Sequence, residues 1–539
     1  MLARFVRPDF HCSQATKAWL RRGTRTRIVW RLFLCSALCA FANAAFAAYP
    51  FYTGADISLE TFMQQEGVKF TDNSSGTPVQ LPMDQIMYDA GANLFRLRIF
   101  VNPATTYTNS NAGAIQTTSY DIALAQQIKT DDPDAKLLLD FHYSDTWADP
   151  GHQAKPSAWS SDASLSTLES DVTIYTESTL NSFYSSGVMP NIVQIGNETT
   201  DGMLWQTGSS GAAAVGGRIL YQGVTYTGLG LTNNKPTQAQ TNQSWQNFGG
   251  LLNAAIKGVR NAQSDDNLPR IPVSLSIDKG DLDGQPQSFY ANIQSSSLGN
   301  VTDFDIEGVD FYPSSTDLIS TMQTNLTTLA GTNETAFTKT GNTLPLKRIM
   351  VLETNYPWEN GGSSSYAGWD KTPAGQEAEF QAVRSLVQGL PYNDGEGALY
   401  WYPEAVQAGG FNIYNGGATA LFDATSSHNA LAAMNAFAPV RGDFNGDGAF
   451  TAADIPAMLS ALANLSDYQS NNGITDPDML DIGDFNGDGQ VTSADLQGML
   501  AALRAGQGSS SPAPEPPAGW LLAISGLAML HALRHQRKM

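Results

Sequence analysis

Cysteine is almost missing from this sequence of 539 residues. Its three cysteines, Cys12, Cys35 and Cys39, all lie in the first 47 residues, which have the features of a removable export signal. The mature chain would then contain no disulfide, no thiol nucleophile and no zinc site built from thiolates. Its stability and chemistry must come from a packed core and from side chains that carry oxygen and nitrogen.

Positive charge is also scarce. The chain has 30 Lys and Arg against 51 Asp and Glu, which gives a formal net charge of −21 at pH 7. So acidic a surface repels phosphate backbones, and this argues against nucleic acid as a partner. The sequence also lacks a glycine-rich phosphate loop after any strand-like run, which disfavours a doubly wound nucleotide-binding sheet.

Both ends of the chain have the composition of processing signals. Five arginines between positions 21 and 31 precede the apolar run 32–41, and small residues follow, so residues 1–47 are predicted to be a signal peptide. Residues 506–517 form a Gly/Ser/Pro linker that contains Pro514-Glu515-Pro516, and residues 518–539 hold an apolar segment and a basic tail. A buried N-terminal helix is the alternative for the first segment.

Residues 48–438 alternate short apolar runs with longer amphipathic segments. Eight of these runs are typical of strands: YTGADI, LFRLRIF, KLLLDFHY, NIVQIGN, IPVSLSI, FDIEGVDFY, RIMVLET and GALYWY. Eight strands that alternate with helices predict an α/β fold, the (β/α)8 TIM barrel. Residues 209–242, rich in Gly, Thr, Asn and Gln, are predicted to be a long loop after the fourth strand.

Two glutamates stand at strand ends of this predicted barrel. Glu198 follows the fourth strand, with Asn197 before it, and Glu353 ends the seventh. All strands of such a barrel open onto one face, where active sites lie, so the two carboxylates can meet in space. Glycosidic cleavage needs such a pair, because one group protonates the leaving oxygen and the other attacks the anomeric carbon or activates water. Structural ion pairs or helix caps are the alternative explanation.

Six stretches at strand ends, in matching order, resemble glycoside hydrolase family 53, the arabinogalactan endo-β-1,4-galactanases. They are GADIS (54–58), LFRLRIF (94–100), LDFHYSDTWADPGHQ (139–153), GNETTDGMLW (196–205), DFYP (310–313) and VLETNYPW (351–358). The resemblance implies a retaining endo-hydrolase of β-1,4-galactan that needs no cofactor for catalysis. It implies Glu198 as the general acid/base and Glu353 as the nucleophile, and it places Asn197 on the sugar 2-hydroxyl.

The resemblance and the parity of the strands add further candidates for binding substrate. They are Arg98, His142, Trp147, Tyr312 and Trp401. Tyr312 is expected to hydrogen-bond the nucleophile, and the two tryptophans offer flat apolar rings to the C–H faces of sugars. Arg96 and Arg98 point to the same side of the second strand, and a cation near Glu353 would favour its ionised form. Asp140 shares a strand face with His142; each of these residues is otherwise a core or rim residue.

Some positions depart from the family pattern. Trp401-Tyr402-Pro403 stands where the family has Trp-Glu-Pro, Ser276 stands where it has histidine, and IEGVDFYPSS replaces Ile-Gly-Leu-Ser-Tyr-Tyr-Pro-Phe. Two alternatives therefore stay open. One is another retaining glycosidase of the same clan with altered subsites. The other is a non-catalytic carbohydrate-binding scaffold at the cell surface, which the survival of both glutamates disfavours.

The segment 441–505 contains a repeat, GDFNGDGAFTAADIPAML and GDFNGDGQVTSADLQGML, 41 residues apart. Each copy has oxygen-bearing residues at calcium-loop positions around a turn glycine. The predicted ligands are Asp443, Asn445, Asp447, Ala449, Thr451 and Asp454 in the first loop, and Asp484, Asn486, Asp488, Gln490, Thr492 and Asp495 in the second, with Ala449 and Gln490 acting through their carbonyls. The duplicated loop and helix resemble a type I dockerin, which implies two calcium ions and a cohesin-bearing partner. Acidic turns without metal are the alternative.

The C-terminal order of Pro-Glu-Pro, apolar segment and basic tail resembles a PEP-CTERM sorting signal, which implies cleavage by an exosortase. The apolar segment has sixteen residues, and as a helix it would cover ~24 Å, less than the ~30 Å hydrocarbon core. Transient membrane contact is therefore expected, and a plain membrane anchor is the alternative. Either way the protein is predicted to be exported to the cell envelope or beyond.

Overall fold

The computed structural model describes residues 51–505, except for positions 75, 109–112, 163, 206–215, 228, 340–345, 361–364, 409–413, 473 and 475. The predicted signal peptide (1–47), the linker (506–517) and the C-terminal tail (518–539) lie outside the described residues. Among the helices that are described, none has the length and apolar character needed to cross a bilayer.

Eight parallel strands close into a barrel in which neighbours in the chain are neighbours in space, and the last strand pairs with the first. The strands are β1 (Tyr52–Asp56), β2 (Leu94–Ile99), β3 (Lys136–Phe141), β4 (Ile192–Ile195), β5 (Val273–Ile277), β6 (Ile306–Asp310), β7 (Arg348–Thr354) and β8 (Gly395–Trp401). The predicted (β/α)8 TIM barrel is therefore confirmed.

Helices cover the outside of the barrel, as the alternation of apolar and polar residues predicts. They are α1 (Glu60–Gln65), α2 (Met83–Asp89), α3 (Thr118–Asp131), α4 (Leu165–Ser185), α5 (Gln238–Asp265), α6 (Gln285–Gln294), α7 (Ile319–Lys339) and α8 (Pro373–Gln388). Their apolar faces and the outward-facing strand residues form the main hydrophobic core.

The interior of the barrel has an apolar floor beneath a polar layer. The floor consists of Leu94, Leu138, Ile192, Ile306, Met350, Leu352 and Leu399. Further along the same strand faces come Arg96, Asp140, Gln194 and Asp310, all fully buried. Because side chains alternate along a strand, residues of equal parity share a face, and the polar layer lies towards the C-terminal ends of the strands.

The predicted loop over 209–242 is wrong at its C-terminal end. Helix α5 begins at Gln238, and Thr237 caps it in a reciprocal capping box with Gln240. The T-x-x-Q spacing is a helix-start signal that the polar composition of the segment obscured. Gly217–Arg218 also forms a short antiparallel pair with Gly202–Met203, and residues 206–215 lie outside the described part.

A small all-α module follows the barrel. Its helices are α9 (Asp454–Ala461), α10 (Leu465–Asn472), α11 (Asp476–Gly483) and α12 (Asp495–Arg504). They enclose a core of their own, formed by Phe444, Phe450, Met458, Ala461, Met479, Ile482, Val491 and Met499. The first of the two repeated loops contacts the end of α8, where the Gln388 side chain donates a hydrogen bond to Asp443 (Nε2···Oδ2 3.1 Å).

Candidate active site

A local irregularity in β7 turns Glu353 into the mouth of the barrel. Met350 and Leu352 both belong to the interior floor, so simple alternation would point Glu353 outward. The pairing of β6 with β7 slips at this point: Val309 faces Val351, whereas the next residue, Asp310, faces Glu353. Irregularities of this kind re-aim side chains next to active sites, and here the slip places a carboxylate where the strands end.

Glu198 reaches the mouth through a turn at the end of β4. Its backbone is left-handed, with φ 44° and ψ 52°, an uncommon conformation for a residue with a side chain. The Glu198 N–H donates to the Ser276 hydroxyl (3.2 Å), which ties the turn to β5. Such strained positions cluster at functional sites when their surroundings hold them in place.

The two glutamates converge with a third carboxyl group. One oxygen from each of Glu198, Glu353 and Asp310 lies within 4.8 Å of the other two. Retaining glycosidases hold their two carboxyl groups about 5–5.5 Å apart, whereas inverting enzymes leave room for a water with a gap of about 6.5–9.5 Å. The observed separation fits the retaining geometry.

Arg96 organises the polar layer beneath the mouth. It is fully buried, and its five N–H donors all have acceptors. Those acceptors are Gln194 (3.1 Å), Asp56 (3.1 Å), Glu353 (2.7 Å), Asp140 (2.8 Å) and Asn197 (2.8 Å). Burial opposes its charge, but the carboxylates of Asp140, Glu353 and Asp56 outweigh burial and raise the pKa of Arg96. Arg96 is thus a permanent cation that positions Glu353 and Asn197 together.

The two glutamates have different electrostatic surroundings. Glu353 accepts a hydrogen bond from the Tyr312 hydroxyl (2.6 Å) on one oxygen and from Arg96 on the other. Burial and the charge of Glu353 raise the pKa of Glu198 well above its usual range, against a lowering effect of Arg96. One carboxyl group is therefore supported as an anion, while the other is favoured as a protonated acid.

A cavity of about 630 Å³ opens above these carboxyl groups. Six of the predicted site residues line it: Trp147, Asn197, Glu198, Tyr312, Glu353 and Trp401. Trp147 and Trp401 meet edge to face with ring centroids 6.2 Å apart. The cavity thus has aromatic walls and carboxyl groups at its base, as a carbohydrate-binding cleft requires.

Arg98 and His142, both predicted to bind substrate, lie behind the cavity wall and are buried. Arg98 donates to Asp56 (2.7 Å), and its guanidinium stacks between the rings of Trp147 (4.4 Å) and Tyr402 (4.8 Å). His142 accepts the Ala148 N–H at Nδ1 (3.0 Å), so its Nε2 carries the proton that faces Asp140 (3.0 Å). Both side chains have protein partners and support the cavity wall from behind.

Several residues of this site were not among the predicted ones. Tyr107, Asp149, Tyr402 and Tyr414 line the cavity, and Asp310 lies beneath it. Tyr107 and Tyr414 come from connecting segments, where the sequence carries no periodic signal. Asp310 has the parity of Ile306 on a predicted strand, so parity together with a strand-end acidic residue was a signal that could have found it.

Two of the three departures from the family pattern, Ser276 and Tyr402, have a visible structural role. Ser276, at the end of β5, accepts the Glu198 N–H and so fixes the turn that presents this glutamate. Tyr402 stacks on Trp401 with ring centroids 4.7 Å apart and also covers Arg98. The cavity wall therefore has an additional aromatic surface at position 402, next to the two glutamates.

The two loops of the repeat fold alike. In the first loop the N–H groups of Gly446, Asp447 and Gly448 donate to the Asp443 carboxylate (2.8–3.1 Å). The second loop repeats these bonds one for one at Asp484 (2.7–3.2 Å). One carboxylate oxygen from each of Asp443, Asp447 and Asp454 lies within 4.8 Å of the other two, and clustered hard oxygen donors of this kind suit calcium.

Comparison with known families agrees with these features. Residues 52–437 match the profile of glycosyl hydrolase family 53, and residues 441–504 match that of the type I dockerin domain, a calcium-binding module. Arabinogalactan endo-β-1,4-galactanases from Thermothelomyces thermophilus and Humicola insolens are 28% and 29% identical to this chain. Each alignment spans 65% of this chain and 89% of the relative.

Solved structures give the same result. A structure of a fungal β-1,4-galactanase is 26% identical and covers 72% of this chain and 98% of its own length, with a TM-score of 0.54. The family 53 catalytic domain of Ignisphaera aggregans has the same fold, with 23% identity over 73% of this chain and 97% of its own length and a TM-score of 0.55. The resemblances noted in the sequence to the galactanase and dockerin families are confirmed. The chain belongs to glycosyl hydrolase family 53.

Proposed function

We propose that this protein is a retaining endo-hydrolase of β-1,4-galactan in type I arabinogalactan. The observation that carries the proposal is the asymmetric pair at the barrel mouth. Glu198 and Glu353 offer carboxyl oxygens within 4.8 Å of each other, but only Glu353 is held by Arg96 and Tyr312. A pair with one stabilised anion and one favoured acid is what retaining cleavage requires.

In the proposed reaction, Glu353 attacks the anomeric carbon while Glu198 gives its proton to the departing glycosidic oxygen. The C–O bond breaks, and a glycosyl ester forms on Glu353. Glu198, now ionised, takes a proton from water, and that water attacks the anomeric carbon and releases Glu353 as a carboxylate. Each residue returns to its starting protonation state, so the cycle needs no added cofactor.

The cavity suggests how the sugar is held. Trp147 and Trp401 offer their faces and edges to the C–H surfaces of galactose units. Asn197 lies between the cavity and Arg96, which fixes its amide, so it is suited to meet the sugar 2-hydroxyl. Arg98 and His142 hold Trp147 and its loop in place, so we assign them to positioning and not to direct substrate contact.

Two variants test the roles of the pair. E353A should lower kcat on galactan by at least ~1,000-fold, and added azide should restore turnover by replacing the missing nucleophile with a small anion. E198A should slow substrates with poor leaving groups much more than activated aryl glycosides, which need little protonation. Wild-type hydrolysis of galactan by either variant would contradict the assignment.

A substrate panel tests the specificity. Galactan from lupin or potato should be cleaved faster than mannan, xylan or cellulose, with internal cleavage visible as an early drop in polymer length. A retaining glycosidase of the same clan with altered subsites is the second candidate, because Tyr402 adds an aromatic surface to the wall. Preference for another polysaccharide in this panel would favour that candidate.

We further propose that the dockerin domain binds two calcium ions, one in each loop, and docks on a cohesin-bearing protein. The two loops make the same internal hydrogen bonds, which supports a calcium site in each. Calorimetric titration of the full chain should count two ions per chain. A complex with a purified type I cohesin module should form in calcium and dissociate on chelation.

We further propose that the protein is exported and processed at both ends. The chain would enter the export pathway through residues 1–47, contact the membrane transiently through residues 518–533, and be cut by an exosortase near Pro514 to Pro516. The enzyme would then act at the cell envelope or outside the cell, where its polymeric substrate is. Intact-mass measurement on protein from the native host tests this. A surface form that still ends at Met539 would favour a plain membrane anchor.

A further inference from the structure

A third carboxyl group, that of Asp310, lies beside the two glutamates at the end of β6. One of its oxygens lies within 4.8 Å of an oxygen of Glu198 and of Glu353. Asp310 is fully buried, and neither of its carboxyl oxygens has a hydrogen-bond partner among the described residues. The reaction as proposed above gives this group no role.

The surroundings of Asp310 favour its protonated form. A buried carboxylate without a donor is costly, and the five donors of Arg96 are already bound to other acceptors. The titratable and charged groups that face Asp310 are Glu353, Glu198, Asp278, Arg96, Tyr290 and Tyr312. Burial, followed by the charges of Glu353 and Glu198, raises the pKa of Asp310 well above its usual range.

We propose that Asp310 is a positioning residue that shares protons with Glu198 and so extends the activity towards alkaline pH. The inference rests on the roles proposed above for Glu198 and Glu353. In the working state Glu353 is ionised, while Glu198 and Asp310 each carry a proton. Three interacting carboxyl groups titrate as a set, so each step of proton loss belongs to the set.

The direction of the effect follows from counting protons. As the pH rises, the first proton lost from the working state leaves either Glu198 or Asp310. When it leaves Asp310, Glu198 remains a competent acid, and the new negative charge beside it holds its proton more tightly. Without an ionisable group at position 310, the only proton to lose is the catalytic one. Activity should then fall at a lower pH.

The D310N variant tests this inference, because asparagine keeps the shape of the side chain but stays neutral. We expect the alkaline limb of the kcat/KM profile to move down by ~1 pH unit, a common size for the effect of a like charge nearby. The acid limb should stay in place, because Asp310 is neutral there in the wild type as well. A purely structural role would lower activity without moving one limb alone.

The matched control is D121N. Asp121 is also fully buried, and both its carboxyl oxygens lack partners among the residues described, but it lies outside the three-carboxyl cluster. D121N should leave both limbs where they are. An unmoved alkaline limb in folded D310N, or an equal movement in D121N, would overturn the inference.

Two further measurements keep the test decisive. D310S, a smaller neutral variant, repeats it if D310N does not fold. Infrared difference spectra between the wild type and either variant at the pH optimum should show the C=O band of one protonated carboxyl group that only the wild type has, and the absence of this difference would overturn the inference. The proposed function fails separately: E198A would then show no dependence on the leaving group, whereas failure of D310N alone removes only the role of Asp310.

Discussion

Two carboxylate clusters in this protein have the same compactness and opposite ways of balancing their charge. Glu198, Asp310 and Glu353 meet in the barrel mouth, and Asp443, Asp447 and Asp454 meet in the first calcium loop, each with oxygens within 4.8 Å. The barrel cluster is assembled from two strands and the turn after a third, and the chain supplies its cation, Arg96. The loop cluster comes from twelve consecutive residues and is held by backbone N–H groups.

The difference fits the separate roles proposed for the two clusters. In the barrel, Arg96 stabilises one carboxylate, so the two glutamates have unequal surroundings, as the proposed proton transfer requires. In the loop, neutral N–H donors orient the carboxylates without cancelling their charge, and the remaining attraction is available to an external calcium ion. Burial and the charges of Asp454 and Asp447 raise the pKa of Asp443 to about 7, and a bound cation would offset this repulsion.

The largest expected effect is the loss of calcium binding from one loop without any loss of galactan hydrolysis in the barrel. D443A should weaken calcium binding to the first loop by at least ~100-fold, because it removes the ligand around which the turn is built. D484A should do the same in the second loop. Calorimetry should count one ion in each variant and two in the wild type, while the kcat on galactan stays within about twofold. Loss of galactan hydrolysis on chelation would contradict the independence of the two clusters.

A smaller effect is expected inside the barrel cluster. Y312F removes the hydroxyl that donates to Glu353 (2.6 Å) but keeps the ring that packs edge to face on Trp401. A hydrogen bond to a charged group contributes about 1.5–3 kcal/mol, so kcat should fall about 10- to 100-fold. The KM should change little, because the stacking surface of the cavity is intact. Steady-state kinetics on galactan measure both.

The control for Y312F is Y143F, which removes a buried hydroxyl that bonds Thr176 (2.7 Å) away from the cavity. Y143F should lower the melting temperature without lowering kcat. If both variants lost kcat to the same degree, the Tyr312 hydroxyl would have no special connection to the nucleophile.

The two clusters also differ in how well the sequence predicts them. The calcium loops are contiguous, so spacing alone predicted their ligands, and the barrel strands were found from their apolar runs. Asp310 was missed because its importance depends on burial and on residues from two other strands. The inward direction of Glu353 depends on a slip in strand pairing that no periodicity encodes. Arg98 was placed on the correct strand, but its partners, Asp56 and the rings of Trp147 and Tyr402, come from elsewhere in the fold.

The smallest expected effect distinguishes the two calcium loops, which are alike in sequence but not in surroundings. The first loop is hydrogen-bonded to α8, because Gln388 donates to Asp443 (3.1 Å). Groups that hydrogen-bond to a metal ligand change the affinity for the metal by about 10–100-fold, and a single neutral donor should have an effect at the lower end of that range. Q388L should therefore weaken calcium binding to the first loop by about tenfold or less and leave the second unchanged.

Calorimetry in a D484A background isolates the first loop, and a D443A background isolates the second. The control is Q381L, on the same helix, whose amide bonds the exposed Glu377. A loss confined to the first loop would mean that the barrel helps to tune one calcium site, whereas equal losses in both loops would show that the contact with α8 is incidental.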